Sequence, residues 1–339
     1  KFIFFIKSLF NKLEEEKFGL QDFQLRIKKQ LLDSISSNKL KVIVHMPTGS
    51  GKTKLVLSSL VALNLKNKFL SNNFLIWIAH SDELCDQAKN TFKDLWSFFG
   101  DQELPLVRLK DQKLDEIKQL NKGIIICTYA KLHRMRMNQK GSQILEFMRS
   151  KSKFIVADEA HMVPANTFRA SIEFITKLDY SNLIGLTATP GGYYNEQTQE
   201  LADYFDKNKI SVTDENFNDL EGPDAIKYLQ NIGVLSEIKT HQVKTDFNFE
   251  FNESEKQKIL GSFDEGLNPE LIKQMEKDVE RNICIYGELQ SLYEQNLNTI
   301  VFACSLKHTK LLHKICILTG MKVGKIDDKQ AIKKKRNCE

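Results

Sequence analysis

The sequence predicts an α/β fold, a parallel sheet with helices on both faces. Three observations predict it. Five short apolar, β-branched runs alternate with helical stretches along the first two hundred or so residues. A polar cluster follows each run, at the strand end where open parallel sheets bind their ligands. The first run also feeds a glycine-rich loop that opens a helix. At 339 residues the chain is long enough for two domains.

The opening Lys1-Phe2-Ile3-Phe4-Phe5-Ile6 is broken by Lys7 and followed by Asn11, Lys12 and Glu14 to Glu16, with no small-residue cleavage site. It reads as an amphipathic helix packing on the first domain rather than a secretion signal. Without an initiator methionine, the numbering is expected to begin inside a longer product. From Gly19 to Ile35, Leu20, Phe23, Leu25, Ile27, Leu31, Leu32 and Ile35 fall at helical spacing. Gln24 lies near the start of this helix, upstream of the glycine-rich loop. Its amide both donates and accepts, which suits an adenine edge, although an exposed glutamine on a helix is the ordinary alternative.

Val42-Ile43-Val44-His45-Met46-Pro47 is the first strand, running into Thr48-Gly49-Ser50-Gly51-Lys52-Thr53 and an apolar-periodic helix from Leu55 to Leu65. This is the order a phosphate-binding loop requires. Glycines let successive backbone N–H groups converge on one anion, and the helix start adds its positive dipole end. Lys52 would reach the β- and γ-phosphates, and the Thr53 hydroxyl would sit on Mg²⁺. One position departs from the general pattern: Met46 stands where a glycine is expected.

Phe74 to Ala79 is the second strand, ending at His80-Ser81-Asp82-Glu83-Leu84 with a helix running to about Phe99. Gly123 to Tyr129 is the third, with Thr128 at its end. Phe154-Ile155-Val156-Ala157 is the fourth, running into Asp158-Glu159-Ala160-His161. Leu183 to Leu186 is the fifth, ending in Thr187-Ala188-Thr189-Pro190-Gly191-Gly192. Hydrolysis of a nucleoside triphosphate needs one carboxylate to hold Mg²⁺ and a second to orient or deprotonate water. Asp158 and Glu159 supply both at the end of a buried strand.

Beyond Tyr193 the texture turns polar. Glu221-Gly222-Pro223 marks a break before a helix from Ala225 to Leu235, closed by Gly233. Phe247, Phe249 and Phe251 alternate as in an edge strand. Pro269 to Gln295 reads as one long charged helix with a kink near Gly287. Thr299 to Cys304 reads as a sixth strand, followed by Ser305 and a helix from Leu306 to Leu318. Lys322 to Ile326 suits one more strand. The basic run Lys333 to Arg336 reads as a solvated face, with a nucleic-acid contact as the alternative.

Gly49-Ser50-Gly51-Lys52-Thr53, Asp158-Glu159-Ala160-His161 and Thr187-Ala188-Thr189, in that order and strand context, resemble a superfamily 2 helicase of the DEAH-box kind. Looser likenesses accompany them. Phe23-Gln24 is similar to the adenine-reading motif, with Gln21 where arginine is frequent. Ala79 to Leu84 with Gln87 is similar to a nucleic-acid-contacting motif, with Ser81 where arginine is common. Thr128-Tyr129 resembles a later strand-contacting motif, and Ile300 to Ser305 the opening of a second RecA-like domain. The texture is closest to the branch of restriction-enzyme helicase subunits and DNA-repair translocases.

The resemblance implies a RecA-like ATP-binding domain at 37–200, after an N-terminal helical segment at 1–36. An inter-domain connection at 201–240 and a partial second RecA-like domain at 241–339 would follow. ATP and Mg²⁺ would be held by Gln24, Thr48, Gly49, Ser50, Gly51, Lys52, Thr53 and Asp158. Lys52, Asp158, Glu159 and His161 form the catalytic group; His161 is read as structural or as a link to the inter-domain cleft. Ser81, Thr128 and Ser305 would contact nucleic acid, or serve as ordinary helix caps. Thr187 and Thr189 would couple the two sites, or simply form the turn before Pro190.

The family's Gln-x-x-Gly-Arg-x-x-Arg motif has no match in these residues, so the piece is expected to bind ATP·Mg²⁺ but turn it over slowly. The implied partner is nucleic acid, DNA before RNA, with nuclease, defence or repair subunits as companions. A non-hydrolysing nucleic-acid clamp is the competing reading.

Bulk composition narrows the remainder. Net charge is +5, too mild by itself to argue for nucleic acid. Six scattered cysteines without a C-x-x-C pair argue against a disulfide framework or a metal cluster and for a reducing, cytoplasmic setting. No segment reaches the roughly 18 to 20 apolar residues of a membrane span.

Overall fold

The structure, a computed structural model, describes residues 19–37, 40–109, 115–163, 166–177, 180–188, 195–244 and 269–325. The chain divides into two units, one up to Glu237 and one from Ile238 onward.

The first unit is built on a seven-stranded parallel sheet in the order β3-β4-β2-β5-β6-β1-β7. The strands are β1 (Lys41–His45), β2 (Phe74–Ala79), β3 (Leu106–Arg108), β4 (Gly123–Thr128), β5 (Ser152–Asp158), β6 (Asn182–Thr187) and β7 (Lys209–Ile210). Side chains alternate across the sheet, as the two-residue period of a strand dictates. Val42, Val44, Leu75, Trp77, Ile124 and Ile126 face one apolar layer, and Ile43, Ile76, Ile78, Ile125 and Ile155 the other.

The first layer is completed by α1 (Asp22–Ser36), α2 (Lys52–Asn67), α3 (Asp82–Phe99) and α8 (Gly222–Asn231). The second is completed by α4 (Tyr129–Arg136), α5 (Gln139–Lys151), α6 (Asn166–Ile175) and α7 (Asn195–Tyr204). Because both faces are covered, the strands read as continuous apolar runs, and all six residues of β2 are buried.

This is the parallel α/β sheet that the sequence predicts. Its two outer strands, β3 and β7, were not expected; each is at most three residues long. A two-stranded antiparallel pair, β8 (Val212–Thr213) with β9 (Asp219–Leu220), was also not expected. Arg26 of α1 fastens the first of these to the body: its guanidinium donates to Thr213 O at 3.0 Å and to the Tyr228 hydroxyl at 2.9 Å.

The second unit, among the described residues, consists of α9 (Pro269–Lys277), α10 (Val279–Glu294) and α11 (Leu306–Leu318), with no strand. Two expectations change here. The long helix breaks at Asp278, not at Gly287, because the Asp278 carboxylate caps α10 by accepting from Arg281 N–H. Thr299 to Cys304 runs as coil, with Ile300 82% and Phe302 93% exposed. A buried-type strand needs neighbours to complete its ladder, and no described residue of this unit supplies one. Lys322 to Lys325 likewise forms no strand. The expectations for residues 1–18, for Phe247, Phe249 and Phe251, and for Lys333 to Arg336 lie outside the described residues. Among the described residues no helix is long and apolar enough to cross a membrane.

Candidate nucleotide site at the carboxyl ends of the strands

The site is assembled where β1, β6 and β5 end side by side. Parallel pairing sets His45 opposite Thr187 and Leu186 opposite Asp158, so the three strand ends are level. Neighbouring strands lie about 4.8 Å apart, which puts the loop after β1 within about 10 Å of the acidic turn after β5.

The loop turns on two glycines with left-handed backbones, Gly49 at φ 83° and Gly51 at φ 84°. Side chains are excluded there for steric reasons as well. A methyl group on Gly51 would stand 2.6 Å from Gln24 Nε2, and one on Gly49 would stand 3.3 Å from Leu235 Cδ2. Gly51 also occupies the N-cap position of α2 without a capping side chain, so the first backbone N–H groups of that helix have no side-chain partner at the cap. Ser50 braces the turn from within, its hydroxyl donating to Pro47 O at 2.6 Å.

Met46 has an explanation in the fold. Its side chain is fully buried in the core, while its backbone serves the loop at both ends. Met46 N–H donates to Thr187 O at 3.1 Å, tying the loop's base to the end of β6. Met46 O accepts the Lys52 ammonium at 3.0 Å, and Pro47 O accepts it at 3.3 Å. Burial lowers the Lys52 pKa below its ordinary value, while Glu159 and Asp158 pull it back up.

Asp158, the last residue of β5, is buried, and its carboxyl is pushed up to about 6 by burial and by the neighbouring Glu159 charge. Its Oδ1 accepts the Glu159 N–H at 3.1 Å, and its backbone oxygen accepts the Tyr129 hydroxyl at 2.8 Å. Glu159 is held in the left-handed region at φ 54°, a costly conformation for a residue with a Cβ. The bend turns its carboxylate toward His161, whose Nδ1 lies 3.3 Å from Oε2. The two atoms approach closely without the alignment of a hydrogen bond. His161, with Lys52 and His80 adding attraction, holds the Glu159 carboxyl below its ordinary value.

The acidic turn packs on Gly185 of β6: a methyl there would meet Phe205 at 2.5 Å and Ala160 Cβ at 3.0 Å. His45, at the end of β1, points Nε2 at Ala188 O across 3.2 Å.

The other expected residues fall into place as follows. Gln24 is buried, and its amide is engaged: Nε2 donates to Ser50 O at 2.8 Å and Oε1 accepts Gln21 N–H at 3.0 Å. It therefore supports the phosphate loop across 26 residues of sequence. Ser81, Thr128 and Ser305 each cap a helix, accepting N–H from Leu84, Lys131 and His308 at 3.3, 3.1 and 3.0 Å. Ser81 and Thr128 follow neighbouring strands β2 and β4, whereas Ser305 belongs to the second unit. Thr187 is buried at the end of β6, and Thr189 lies outside the described residues.

Tyr129, read from the sequence only as part of the Thr128-Tyr129 motif, fixes the Asp158 backbone, a role with no local signal. Sequence reasoning passed over Leu235, nearly two hundred residues beyond the phosphate loop; its Cδ2 stands 3.3 Å from where a side chain on Gly49 would begin.

A glycine-rich loop and an acidic turn at level strand ends, one strand apart, have the arrangement of a P-loop nucleotide-binding domain. The comparisons with known proteins agree. A family model described as "Type III restriction enzyme, res subunit" matches residues 17–192, more than half of the chain, and the chain belongs to this family. "Putative helicase 22" of Sulfolobus islandicus filamentous virus (isolate Iceland/Hveragerdi) is 26% identical over 211 residues, 62% of this chain and 34% of that protein.

Solved structures with detectable likeness are more distant. The Pyrococcus furiosus Hef helicase domain is 18% identical, covering 86% of this chain and 54% of that one, with a TM-score of 0.43. The helicase MrfA bound to DNA is 17% identical, covering 60% and 29%, also with a TM-score of 0.43. The DEAD-box helicase Mss116 bound to single-stranded RNA is 21% identical, covering 59% and 41%, with a TM-score of 0.45. The chain thus spans about a third of the length of its viral relative.

Proposed function

We propose that the chain is the ATP-binding part of a helicase or translocase that couples ATP hydrolysis to movement along nucleic acid, DNA in preference to RNA. One observation carries the reading: parallel pairing of β1, β6 and β5 brings the loop that bears Lys52 level with the turn that bears Asp158 and Glu159. Family membership supports the activity, and the restriction-enzyme description of the family favours DNA.

The residues fit the nucleotide. Gly49 and Gly51 leave a cradle that side chains would fill, and the start of α2 adds the positive end of its dipole. Thr48 to Thr53 would hold the triphosphate. Thr53 and Asp158 would hold Mg²⁺, which neutralises charge on the phosphoryl group as it transfers.

Lys52 has to leave Met46 O and Pro47 O to meet the phosphates, an exchange of carbonyl dipoles for full charges. The Asp158 carboxyl is pushed up to about 6 by burial and by Glu159, so holding Mg²⁺ would favour its ionised form. Glu159 is ionised at neutral pH, with His161 beside it, and would accept from and orient the attacking water. Gln24 stiffens the loop through Ser50 O and lies close enough to Gly51 to sense it.

Ser81 and Thr128 keep a use as nucleic-acid contacts; Ser305 would first have to release the Glu276 carboxylate to which its hydroxyl donates. A hydroxyl that accepts an N–H still has its own proton to donate to a phosphate oxygen. Ser81 and Thr128 stand on the β2–β4 side of the acidic turn, away from the loop after β1. Thr187 joins the two regions, since its carbonyl holds Met46 N–H. Nuclease or defence subunits as companions follow from the family description alone.

The test is ATP turnover with and without single-stranded DNA, double-stranded DNA and RNA, on wild type, Lys52→Ala and Glu159→Gln. We expect a DNA-stimulated rate that falls by at least about a hundredfold in both variants. DNA binding with no turnover in any sample would instead identify a clamp that uses ATP only as a ligand. Stimulation by RNA alone would reverse the substrate preference.

A further inference from the structure

The second unit contains a relay of hydrogen bonds that the nucleotide site does not use. It starts at the break between α9 and α10, where Asn282 Nδ2 donates to Glu276 O at 3.1 Å. That bond fixes which way the amide faces. Its oxygen, Asn282 Oδ1, is turned to His308 Nε2 at 2.8 Å, so Nε2 carries the imidazole proton. Nδ1 is then left with a lone pair, and Cys304 Sγ stands 3.0 Å from it. The Cys304 N–H also leans on Nδ1, at 3.4 Å.

The burial pattern is that of a built site rather than a surface encounter. His308 and Asn282 are 2% and 7% exposed, whereas Cys304 is half-buried and within reach of solvent. Glu276 holds the site together from a second direction, its carboxylate accepting the Ser305 hydroxyl while its backbone oxygen holds Asn282. Burial and the Arg281 guanidinium lower the His308 pKa, against the pull of Glu276, so the imidazole is neutral at pH 7 and able to accept a proton.

The other described cysteines differ. Burial pushes the thiols of Cys85 and Cys127 up to about 11 and about 12, and Cys316 is also buried. Cys284 is half-buried like Cys304, but has no imidazole at hydrogen-bonding distance among the described residues.

We propose that Cys304 is a histidine-activated thiol, a covalent modification site for soft electrophiles. Order and atoms match the logic of a nucleophile, a base and a residue that orients the base. Cys304 is the reacting group, His308 accepts its proton at Nδ1, and Asn282 is a positioning residue that fixes the tautomer. With iodoacetamide as the probe, a sulfur–carbon bond forms and the carbon–iodine bond breaks. Iodide leaves with the bonding pair, and the thiol proton passes to His308 Nδ1 and on to water.

The experiment is brief iodoacetamide labelling of the full chain at pH 7, with Cys304 and Cys284 quantified separately by peptide mass spectrometry. We expect Cys304 to react about tenfold faster than Cys284 or more. His308→Gln should bring the two rates together with the Cys284 rate and the melting curve unchanged, and Asn282→Ala should lower the ratio severalfold. Equal rates in the wild type, or a ratio indifferent to His308→Gln, would overturn the proposal. Should His308→Gln unfold the unit, the wild-type ratio and Asn282→Ala decide the matter.

Discussion

Phe74-Leu75-Ile76-Trp77-Ile78-Ala79 and Thr299-Ile300-Val301-Phe302-Ala303-Cys304 are nearly interchangeable as sequence. Both are apolar, rich in β-branched and aromatic residues, and followed within two residues by a serine that caps a helix. In the first unit the segment is a central strand with every side chain buried, flanked by β4 on one edge and β5 on the other. In the second it is coil, with Phe302 93% exposed. Both segments have strand propensity, and the difference lies in their neighbours. A strand is a shared object whose backbone groups are satisfied by other strands and whose side chains are covered by other helices.

The largest test of this contrast compares the two aromatics. Trp77→Ala should cost the first unit about 3–5 kcal/mol, because it empties a fully buried volume. Phe302→Ala should change stability by no more than about 0.5 kcal/mol. Urea denaturation of each variant measures both, and similar losses would break the contrast.

A second test sharpens it at the site. The first unit is stable enough to carry a buried carboxylate whose pKa rises from an ordinary 3.8 to about 6. A raised folded-state pKa favours folding while the group is protonated, and that contribution fades as pH rises through 6. Asp158→Asn imitates the protonated form. It should match wild type below about pH 4 and gain on the order of 1–3 kcal/mol by pH 7. A gap independent of pH in thermal melts would mean that Asp158 is not titrating as described.

The smallest test uses two glycines. Gly287 lies inside α10 with nothing within 4 Å of where a methyl would be, so Gly287→Ala should stabilise the second unit by about 0.5–1 kcal/mol. Gly51→Ala should do the reverse to the first unit, since it meets Gln24 and a left-handed backbone together. Equal signs in thermal melts would contradict the difference in crowding.

Much of the first unit is legible without coordinates, for a physical reason. Strands β1, β2, β4, β5 and β6 are buried on both faces and so appear as unbroken apolar runs. The short outer strands β3 and β7 take their form from the strand beside them and carry little signal of their own. The phosphate loop and the acidic turn are legible because their chemistry fixes their spacing. Met46 is a lesson in the opposite direction: it breaks the residue pattern, yet its backbone N–H and carbonyl serve the loop whatever the side chain.

What stays hidden is contact at a distance. Gln24 reads as a candidate for a base edge, and its bond to Ser50 O, 26 residues away, has no signal in the sequence around it. The Asn282–His308–Cys304 relay joins residues that look unremarkable in isolation.

Leu235 limits the space beside the bend of the nucleotide loop. Its methyl group would touch the first atom added to Gly49, and only two residues later the chain passes out of the first unit. A side chain at position 49 would thus meet a left-handed backbone and this leucine together, so the bend is closed to anything larger than glycine from within its own loop and from far along the chain.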